Sequence, residues 1–104
     1  MDRSEGRRRT RHRRRLRVML GHTSAFTVDV SGGGFCTELM RVMRPGLAVE
    51  GSIQVNGREV PFGGEVTWVK PGDVSLNLRG RVGIRFTRVP ADLQHVLDTA
   101  AAAT

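Results

Sequence analysis

The chain has 104 residues, of which 26% are charged and 38% hydrophobic, and it carries a net charge of +7. This length favours a single domain with one modest core, and the composition is ordinary for a globular protein. No apolar run is long enough to span a membrane, no apolar segment follows the first arginines as a secretory signal requires, and a single cysteine excludes an internal disulfide, so we expect a cytoplasmic protein.

The first element along the chain is a basic arm. Residues 1–17 hold nine arginines and two acidic residues, so they carry the whole net charge, and the rest of the chain is neutral. Residues 1–15 have no large apolar side chain apart from Met1, and blocks of like charge stay disordered and often bind polyanions. Arginine offers a planar fork that matches phosphate and the edge of guanine. We predict a flexible basic arm over residues 1–15.

Strand-like alternation of apolar side chains begins at Leu16. Similar runs recur with turn signals between them, including Asn56-Gly57, which is typical of a two-residue hairpin. The adjacent glycines Gly63 and Gly64 predict a bulge or bend inside the longest run. The predicted strands cover about residues 16–20, 25–29, 34–39, 47–55, 58–69 and 82–86.

The apolar period changes after Pro90. Leu93, Val96 and Leu97 follow at helical spacing and predict a short amphipathic helix that begins near the proline. Residues 100–104 form a frayed tail. Six short strands followed by one helix indicate a small antiparallel barrel or sandwich.

The residues that enzymes most often use do not form a recognisable catalytic pattern here. The histidines His12, His22 and His95 are scattered among the arm, a turn and the helix, and Cys36 lies in a strand, where a lone cysteine usually acts as a small hydrophobe. No nucleophile and base, pair of carboxylates or metal-ligand spacing stands out. We therefore expect a protein that is not an enzyme and that binds no metal or cofactor.

A glycine-rich turn at residues 29–34, Asp-Val-Ser-Gly-Gly-Gly, joins two predicted strands. Glycine permits unusual backbone angles and leaves no side chain in the way of a ligand. Asp29 supplies an acceptor carboxylate and Ser31 a hydroxyl. Two interpretations are open at this point: a binding loop, or a tight turn in which both side chains cap their own backbone.

Four motifs in order resemble the PilZ domain family. An arginine pair spaced R-x-x-x-R precedes D-x-S-x-x-G, which here is Asp29, Ser31 and Gly34. The strand that contains Trp68 then resembles the family's G-x-V-x-W-V, and the run 83–86, Gly-Ile-Arg-Phe, resembles its G-[VI]-R-F strand. The resemblance covers about residues 7–99. It implies a mainly β fold, a six-stranded antiparallel barrel over residues 16–99 with a short C-terminal helix, an arm at 1–15 and a tail at 100–104.

This resemblance implies a receptor for the bacterial second messenger cyclic di-GMP. The arginine pair would hold phosphate oxygens and the O6/N7 edge of a guanine. Asp29 would accept hydrogen bonds from the guanine N1–H and N2 amine, Ser31 would add a polar contact, and two glycines of the turn would let the backbone lie close to the base. The implied ligand-binding residues are Arg7, Arg8, Arg11, Asp29, Ser31, Gly33 and Gly34.

The register of the arginine pair and the number of bound ligands stay open. Arg7 with Arg11 places the alternating apolar residues where the family has them, and Arg9 with Arg13 is the second choice. Family members that bind an intercalated pair of ligands usually have an arginine before the motif, which the second register supplies through Arg8. One or two molecules of cyclic di-GMP are therefore compatible with the sequence.

The resemblance also implies a signalling route. The arm would become ordered over the ligand, and a stand-alone domain would pass the signal to a downstream protein that the sequence does not identify. The main alternative is a small barrel that binds nucleic acid through its basic arm. The globular part has only five aromatic residues and no evident stacking platform, since we assign Trp68 to the core, so we disfavour that alternative. A PilZ fold that has lost its ligand is a third option, against which the complete D-x-S-x-x-G motif argues.

Overall fold

A computed structural model describes residues 12–40 and 43–98 of the chain. Seven strands, one short 3-10 helix (Val74–Leu76) and one α-helix follow one another in the described parts. The strands are β1 (His12–Arg13), β2 (Arg17–Leu20), β3 (Thr23–Ser31), β4 (Gly34–Leu39), β5 (Ala48–Val55), β6 (Arg58–Lys70) and β7 (Gly80–Arg88), and the helix is α1 (Ala91–Asp98).

The six longer strands form a closed antiparallel barrel. Strand β2 pairs with β3 and β5, β5 with β6, β6 with β7, and β7 with β4. The pairing of β3 with β4 closes the ring, so each of the six strands pairs with a neighbour on both sides. The short β1 lies on β3 beyond the end of β2, with Arg13 opposite Asp29. The sheet order thus brings β3, β4, β7 and β6 side by side.

The interior of the barrel is filled by one apolar cluster. Three phenylalanines from different strands, Phe35, Phe62 and Phe86, stack with ring centroids 5.3–5.8 Å apart in tilted or edge-to-face contact. Helix α1 packs against the same cluster through Leu93 and Leu97, both of which are fully buried. The helix therefore covers the core at one end of the barrel and fixes where the neighbouring β3–β4 turn lies.

Most of the predicted architecture is confirmed. The barrel has the six predicted strands and one short C-terminal helix after Pro90. The β5–β6 hairpin turns at Asn56 and Gly57, which have φ angles of 51° and 79°, as a type I′ turn requires. The β6–β7 register shifts next to Gly63, where the sequence predicts a bulge or bend.

The N-terminal boundary differs from the prediction. Among the described residues, His12 and Arg13 already pair with β3, although they lie inside the range 1–15 assigned to a flexible arm. Residues 1–11, which hold the rest of that arm, lie outside the described residues. Among the residues that are described, no helix has the length and apolar composition needed to cross a membrane.

Candidate functional site

A β-bulge in β3 turns Asp29 to the outside of the barrel. Alternation along β3 places Thr27 inside, and strict continuation of that period would place Asp29 inside as well. The pairing register with β4 shifts between these two residues, which makes Val28 the extra residue. Because one added residue moves the following side chains to the opposite face, Val30 is fully buried and Asp29 faces outward.

A second bulge, in β6, does the same for Trp68. The register with β7 shifts between Val66 and Trp68, so Thr67 is the extra residue. Val66 and Val69 then pack against the core, while the indole of Trp68 is 44% exposed. The prediction that Trp68 packs in the core is therefore wrong: a strict period of two from the buried Val66 would place the indole inside, and the extra residue Thr67 turns it outward.

The two outward-facing residues lie in one row across four neighbouring strands. Asp29 pairs with Cys36, Cys36 with Gly83, and Gly83 with Trp68. Arg13 extends this row beyond Asp29. Directly opposed residues of antiparallel strands share one face of the sheet. The row therefore spans three strand spacings, about 14 Å, between a carboxylate at one end and an indole at the other.

Gly83 gives the Trp68 ring its place on this surface. A Cβ atom added at Gly83 would lie 2.1 Å from Nε1 of the indole, so the ring rests directly over the glycine backbone. Cys36, the next residue in the row, is buried. The middle of the row is thus a flat floor of small residues between Asp29 and the aromatic ring.

An arginine pocket lies beside the row, between the chain before β2 and the start of β7. Its volume is about 370 Å³. Five guanidinium groups and one carboxylate belong to its lining, so its electrostatic character is strongly positive. The pocket is lined by Arg13, Arg14, Arg15, Phe26, Thr27, Val28, Glu38, Arg79 and Arg81.

Aromatic and acidic neighbours hold some of these arginines in place. The guanidinium carbon of Arg15 lies 4.1 Å from the ring centroid of Phe26, and that of Arg17 lies 5.4 Å from it, both within the range of a cation–π contact. On the opposite wall, Arg81 donates to Glu38 and forms an ion pair of 3.2 Å. The forks of the pocket are therefore partly oriented before any ligand arrives.

Thr27 fastens the chain before β2 to the barrel. Its buried hydroxyl accepts a hydrogen bond from the Leu16 amide at 2.8 Å and donates to the Arg14 carbonyl. The Thr27 amide in turn donates to the Leu16 carbonyl, and the Arg14 amide donates to Val28. These bonds cross the gap between β1 and β2, where the ladder is interrupted. The pocket wall formed by residues 13–15 consequently has a fixed backbone.

The β3–β4 turn is held by its own serine and by helix α1. Ser31 is buried, and its hydroxyl accepts a hydrogen bond from the Gly33 amide at 3.1 Å. The Gly32 amide donates to Asp98 at 2.7 Å, and the Gly32 carbonyl accepts from Gln94 at 3.1 Å. The capping interpretation of the turn therefore holds for Ser31. The helix fixes the turn that follows Asp29.

Gly34 is required by the approach of β7. A Cβ atom at this position would lie 1.9 Å from the Ile84 carbonyl oxygen. The neighbouring Gly33 carbonyl accepts a hydrogen bond from the Phe86 amide at 2.9 Å. The last glycine of the motif thus has a packing reason of its own, whatever binds at the surface.

The structure brings together part of the predicted site. Arg13, from the second arginine register, and Asp29 are directly opposed, and the turn with its serine and glycines follows on the same strand. The remaining predicted arginines, Arg7, Arg8, Arg9 and Arg11, lie outside the described residues.

Several residues of this surface were absent from the sequence-based site. Thr27, Trp68, Arg79 and Arg81 come to it through strand register, which depends on pairing between distant segments. The bond from Arg81 to Glu38, for instance, joins positions 43 residues apart. A signal existed for Trp68, since the segment that carries it matches a family motif, but alternation alone pointed to the core.

The chemistry of this surface suits a flat, anionic molecule with hydrogen-bond donors. A carboxylate accepts donors, guanidinium forks bind phosphate oxygens, and an exposed indole stacks on rings. Within residues 12–40 and 43–98, no three His, Cys, Asp or Glu side chains are grouped as a metal site requires. The arrangement therefore suits an organic anion.

Comparisons with known proteins agree with this architecture. The model of the PilZ domain family matches residues 2–102. No curated protein matches the sequence at a significant level.

Solved structures with a similar fold include two bacterial proteins. The Bacillus subtilis inhibitor of motility, MotI/DgrA, superposes with a TM-score of 0.79 at 14% identity, over 92% of this chain and 49% of MotI. The Borreliella burgdorferi PlzA protein, solved in complex with c-di-GMP, gives a TM-score of 0.51 at 12% identity, over 93% of this chain and 36% of PlzA. The chain thus spans about half of the first protein and about a third of the second.

Proposed function

Because this chain belongs to the PilZ domain family, we propose that it is a receptor for cyclic di-GMP that passes a signal to a protein partner, and that it catalyses no reaction. The observation that carries this proposal is the row from Asp29 to Trp68 beside the arginine pocket. The row and the pocket offer together the three kinds of contact that this ligand needs: an acceptor for guanine, cations for phosphate and a plane for stacking.

In this proposal, Asp29 recognises guanine through hydrogen bonds. Its carboxylate accepts from N1–H and the N2 amine, which adenine lacks, and so it selects cyclic di-GMP over cyclic di-AMP. Charged hydrogen bonds of this kind contribute about 1.5–3 kcal/mol each. The bulge at Val28 supports this role, because without it the carboxylate would point into the barrel.

The arginines bind the phosphates and the Hoogsteen edge of guanine. Arg13 supports the second register, Arg9 with Arg13, because its Cα partner is Asp29; Arg7, Arg8 and Arg11 remain the first choice from the sequence. Bidentate pairing with phosphate favours arginine over lysine at each of these places. Ordering of the arm over the ligand would then be the conformational signal.

The turn holds the site in shape. Ser31 fixes the Gly33 amide, and Gly33 and Gly34 keep the backbone low beside Asp29, so that a guanine base approaches without a steric obstacle. Trp68 stacks on a base from the far end of the row. The PlzA structure supports the assignment of ligand, since a protein of similar fold was solved with c-di-GMP. Because this ligand is an intracellular messenger, we expect the protein in the cytoplasm. A receptor that only binds its ligand needs no cofactor.

A second candidate, nucleic-acid binding, gains one observation from the structure. The exposed indole of Trp68 provides the stacking surface that the sequence did not predict. Non-specific binding of this kind depends on total charge, and its affinity falls steeply with salt. A clamp for a small ligand depends instead on a few arginines in defined places.

Calorimetric titration with cyclic di-GMP, cyclic di-AMP and duplex DNA at physiological salt tests the proposal. We expect micromolar or tighter binding of cyclic di-GMP and a clear preference over cyclic di-AMP, with the stoichiometry giving one or two ligands per chain. Equal binding of both dinucleotides would remove the role of Asp29. Tighter binding of DNA than of cyclic di-GMP would favour the second candidate.

An alanine scan of the arm decides the register in the same assay. Largest losses at Arg7 and Arg11 support the first register, and largest losses at Arg9 and Arg13 support the second. A flat profile across the scan, in which every arginine contributes equally, contradicts a clamp and indicates binding by charge alone. The scanned positions are Arg7, Arg8, Arg9, Arg11, Arg13, Arg14 and Arg15.

A further inference from the structure

An apolar surface is exposed where β6 leads into β7. Among the described residues, the large hydrophobic side chains that stay substantially exposed are Trp68 and three others: Met40 at 50%, Leu76 at 65% and Leu78 at 56%. These three lie at the end of β4 and in the loop at residues 71–79. We call them, with the groove between them, the apolar end surface.

The loop displays its leucines in a fixed conformation. Asp73 accepts hydrogen bonds from the backbone amide of Ser75 at 3.0 Å and from its hydroxyl at 2.6 Å. The backbones of Asp73 and Leu78 exchange two hydrogen bonds of 2.9 Å each. A Cβ atom at Gly72 would lie 2.3 Å from the Leu78 carbonyl oxygen, so this close approach needs glycine. The exposure of Leu76 and Leu78 therefore belongs to an ordered loop.

A groove of about 170 Å³ lies within this surface. Its apolar lining includes Met40 and Met43, from the chain that follows β4, and Leu78 from the loop at residues 71–79. An apolar cavity of about 150 Å³ holds a benzene ring, so this groove has room for one large side chain. Methionine walls adapt to differently shaped partners.

The charge around the groove is positive. Lys70 and Arg81 line it, and Arg79 follows Leu78 in the chain. The carboxylate of Glu38 pairs with Arg81. In the part of the chain that the structure describes, neither Lys70 nor Arg79 has a carboxylate partner. The rim thus complements an acidic partner.

Charge and composition exclude two occupants of the groove. The segments outside the described residues, 1–11, 41–42 and 99–104, hold only Met1 and Val42 as large apolar residues, so the chain has little of its own to fill the groove. A second copy that docked face to face would bring one basic rim near the other, and like charges repel.

We propose that the apolar end surface docks a segment of a partner protein in which one large apolar side chain is flanked by acidic residues. The apolar anchor fills the groove between Met40 and Leu78, and the acids meet the basic rim, an arrangement of core and rim that protein interfaces commonly use. This inference deepens the proposed function by naming the output surface, and its signalling role rests on that function. Arg81 lines both this groove and the arginine pocket, so a bound ligand touches the wall of the docking site.

Methyl NMR of the full chain labelled at its methionines tests the proposal. The probe is a short synthetic peptide with a central Leu-Phe pair between Glu and Asp residues. We expect the methyl signals of Met40 and Met43 to shift on titration while that of Met19, in β2 of the barrel, stays unchanged. The same peptide with Lys at every acidic position, and the acidic peptide with Ala for Leu-Phe, should each bind at least tenfold more weakly.

Substitutions in the surface sharpen the test. Leu78→Ser and Lys70→Glu should each weaken peptide binding at least threefold, whereas Arg58→Glu, a matched charge reversal on the same strand far from the groove, should leave it unchanged. Thermal melts identify any variant that fails to fold. If Leu78→Ser does not fold, Lys70→Glu alone decides, because it should also improve binding of the Lys-containing peptide.

Three outcomes would overturn the proposal. One is the absence of any shift at Met40 and Met43 with excess acidic peptide, and another is equal binding of the acidic and basic peptides. The third is that phosphatidylglycerol vesicles shift these methyl signals while the peptide does not, which assigns the surface to a membrane. Calorimetry keeps the two proposals apart: Leu78→Ser should still bind cyclic di-GMP, and a wild-type chain that binds none refutes the proposed function whatever the peptide does.

Discussion

Two outer surfaces of the barrel differ in how far their arginines are paired with carboxylates. Around the β5–β6 hairpin and the end of β7, arginines are matched by carboxylates: Arg88 pairs with Glu50 at 3.0 Å, and Arg58 with Asp92 at 3.2 Å. In the arginine pocket, five arginines face the single carboxylate of Glu38. The first surface satisfies its own charges, while the second concentrates positive charge in a concave space.

This difference indicates that the arginines of the pocket, and not the paired arginines, are available to bind a ligand. Exposed, matched pairs contribute little to stability and offer nothing to a ligand, because each fork is already occupied. A cluster of like charges is destabilised by mutual repulsion in the free protein, and a bound anion relieves that repulsion. Two β-bulges lie along the row beside this pocket, where they turn Asp29 and Trp68 outward.

The largest expected effect is that of Asp29→Asn. Loss of the carboxylate should weaken cyclic di-GMP binding at least tenfold, about 1.4 kcal/mol or more, because the guanine donors lose a charged acceptor. Calorimetry measures the loss. Glu50→Gln is the matched control on the paired surface and should bind as wild type does. Equal weakening by both substitutions would mean that net charge, and not the place of the carboxylate, controls affinity.

Trp68→Ala should weaken binding by about tenfold, because stacking of one base on an aromatic side chain contributes about 1–3 kcal/mol. Trp68→Phe, which keeps a ring over Gly83, should retain most of the affinity. Both variants should melt near the wild-type temperature, since the indole is exposed. If Trp68→Ala binds cyclic di-GMP as tightly as wild type, the ligand does not reach the indole end of the row.

Arg79→Ala and Arg81→Ala should each weaken binding by about threefold, a smaller loss because exposed charge contacts are screened by solvent and salt. The matched control is Arg58→Ala, which removes an exposed arginine outside the pocket, where it pairs with Asp92. Titration at low and high salt should show the difference between pocket and control variants shrinking as salt rises. A loss for Arg58→Ala as large as for the pocket variants would show that the pocket has no special role.

The smallest effect concerns the paired surface itself. The Arg88 guanidinium, through its hydrogen bond, holds the pKa of Glu50 below the ordinary value, and both groups are exposed. A depressed carboxylate pKa means that the pair stabilises the fold above the ordinary pKa and loses this contribution as the pH falls through the lowered value. Glu50→Gln should therefore melt slightly below wild type at pH 7. Melting curves recorded at decreasing pH should converge, and a gap that widens on acidification would contradict this sign.

Much of the fold was predictable from the sequence because it rests on local signals. Apolar alternation located the strands, Asn56-Gly57 identified a hairpin, and the spacing of Leu93 and Leu97 after Pro90 identified the helix. Such signals extend over only a few residues, so they can be recognised without knowledge of the rest of the fold.

The site was less predictable because it depends on register. A bulge adds one residue to a strand, and the amino-acid composition gives no sign of it. The extra residues Val28 and Thr67 move the side chains that follow them to the face opposite to the one that alternation predicts. The resemblance to family motifs pointed to Asp29, which the structure turns outward, whereas the expectation that Trp68 packs in the core is wrong. The arginine pocket needs Arg81 beside Glu38, a pairing of distant segments that no local pattern contains.

Fluorescence of the single tryptophan, recorded while cyclic di-GMP is titrated into the wild-type chain, tests the central claim most directly. Trp68 is the only tryptophan in the sequence, so the signal comes from one end of the proposed site. We predict a saturable change in emission with the affinity found by calorimetry, absent with cyclic di-AMP and shifted at least tenfold to higher concentration in Asp29→Asn. An unchanged emission spectrum, while calorimetry shows cyclic di-GMP binding, would contradict the claim that this surface holds the ligand.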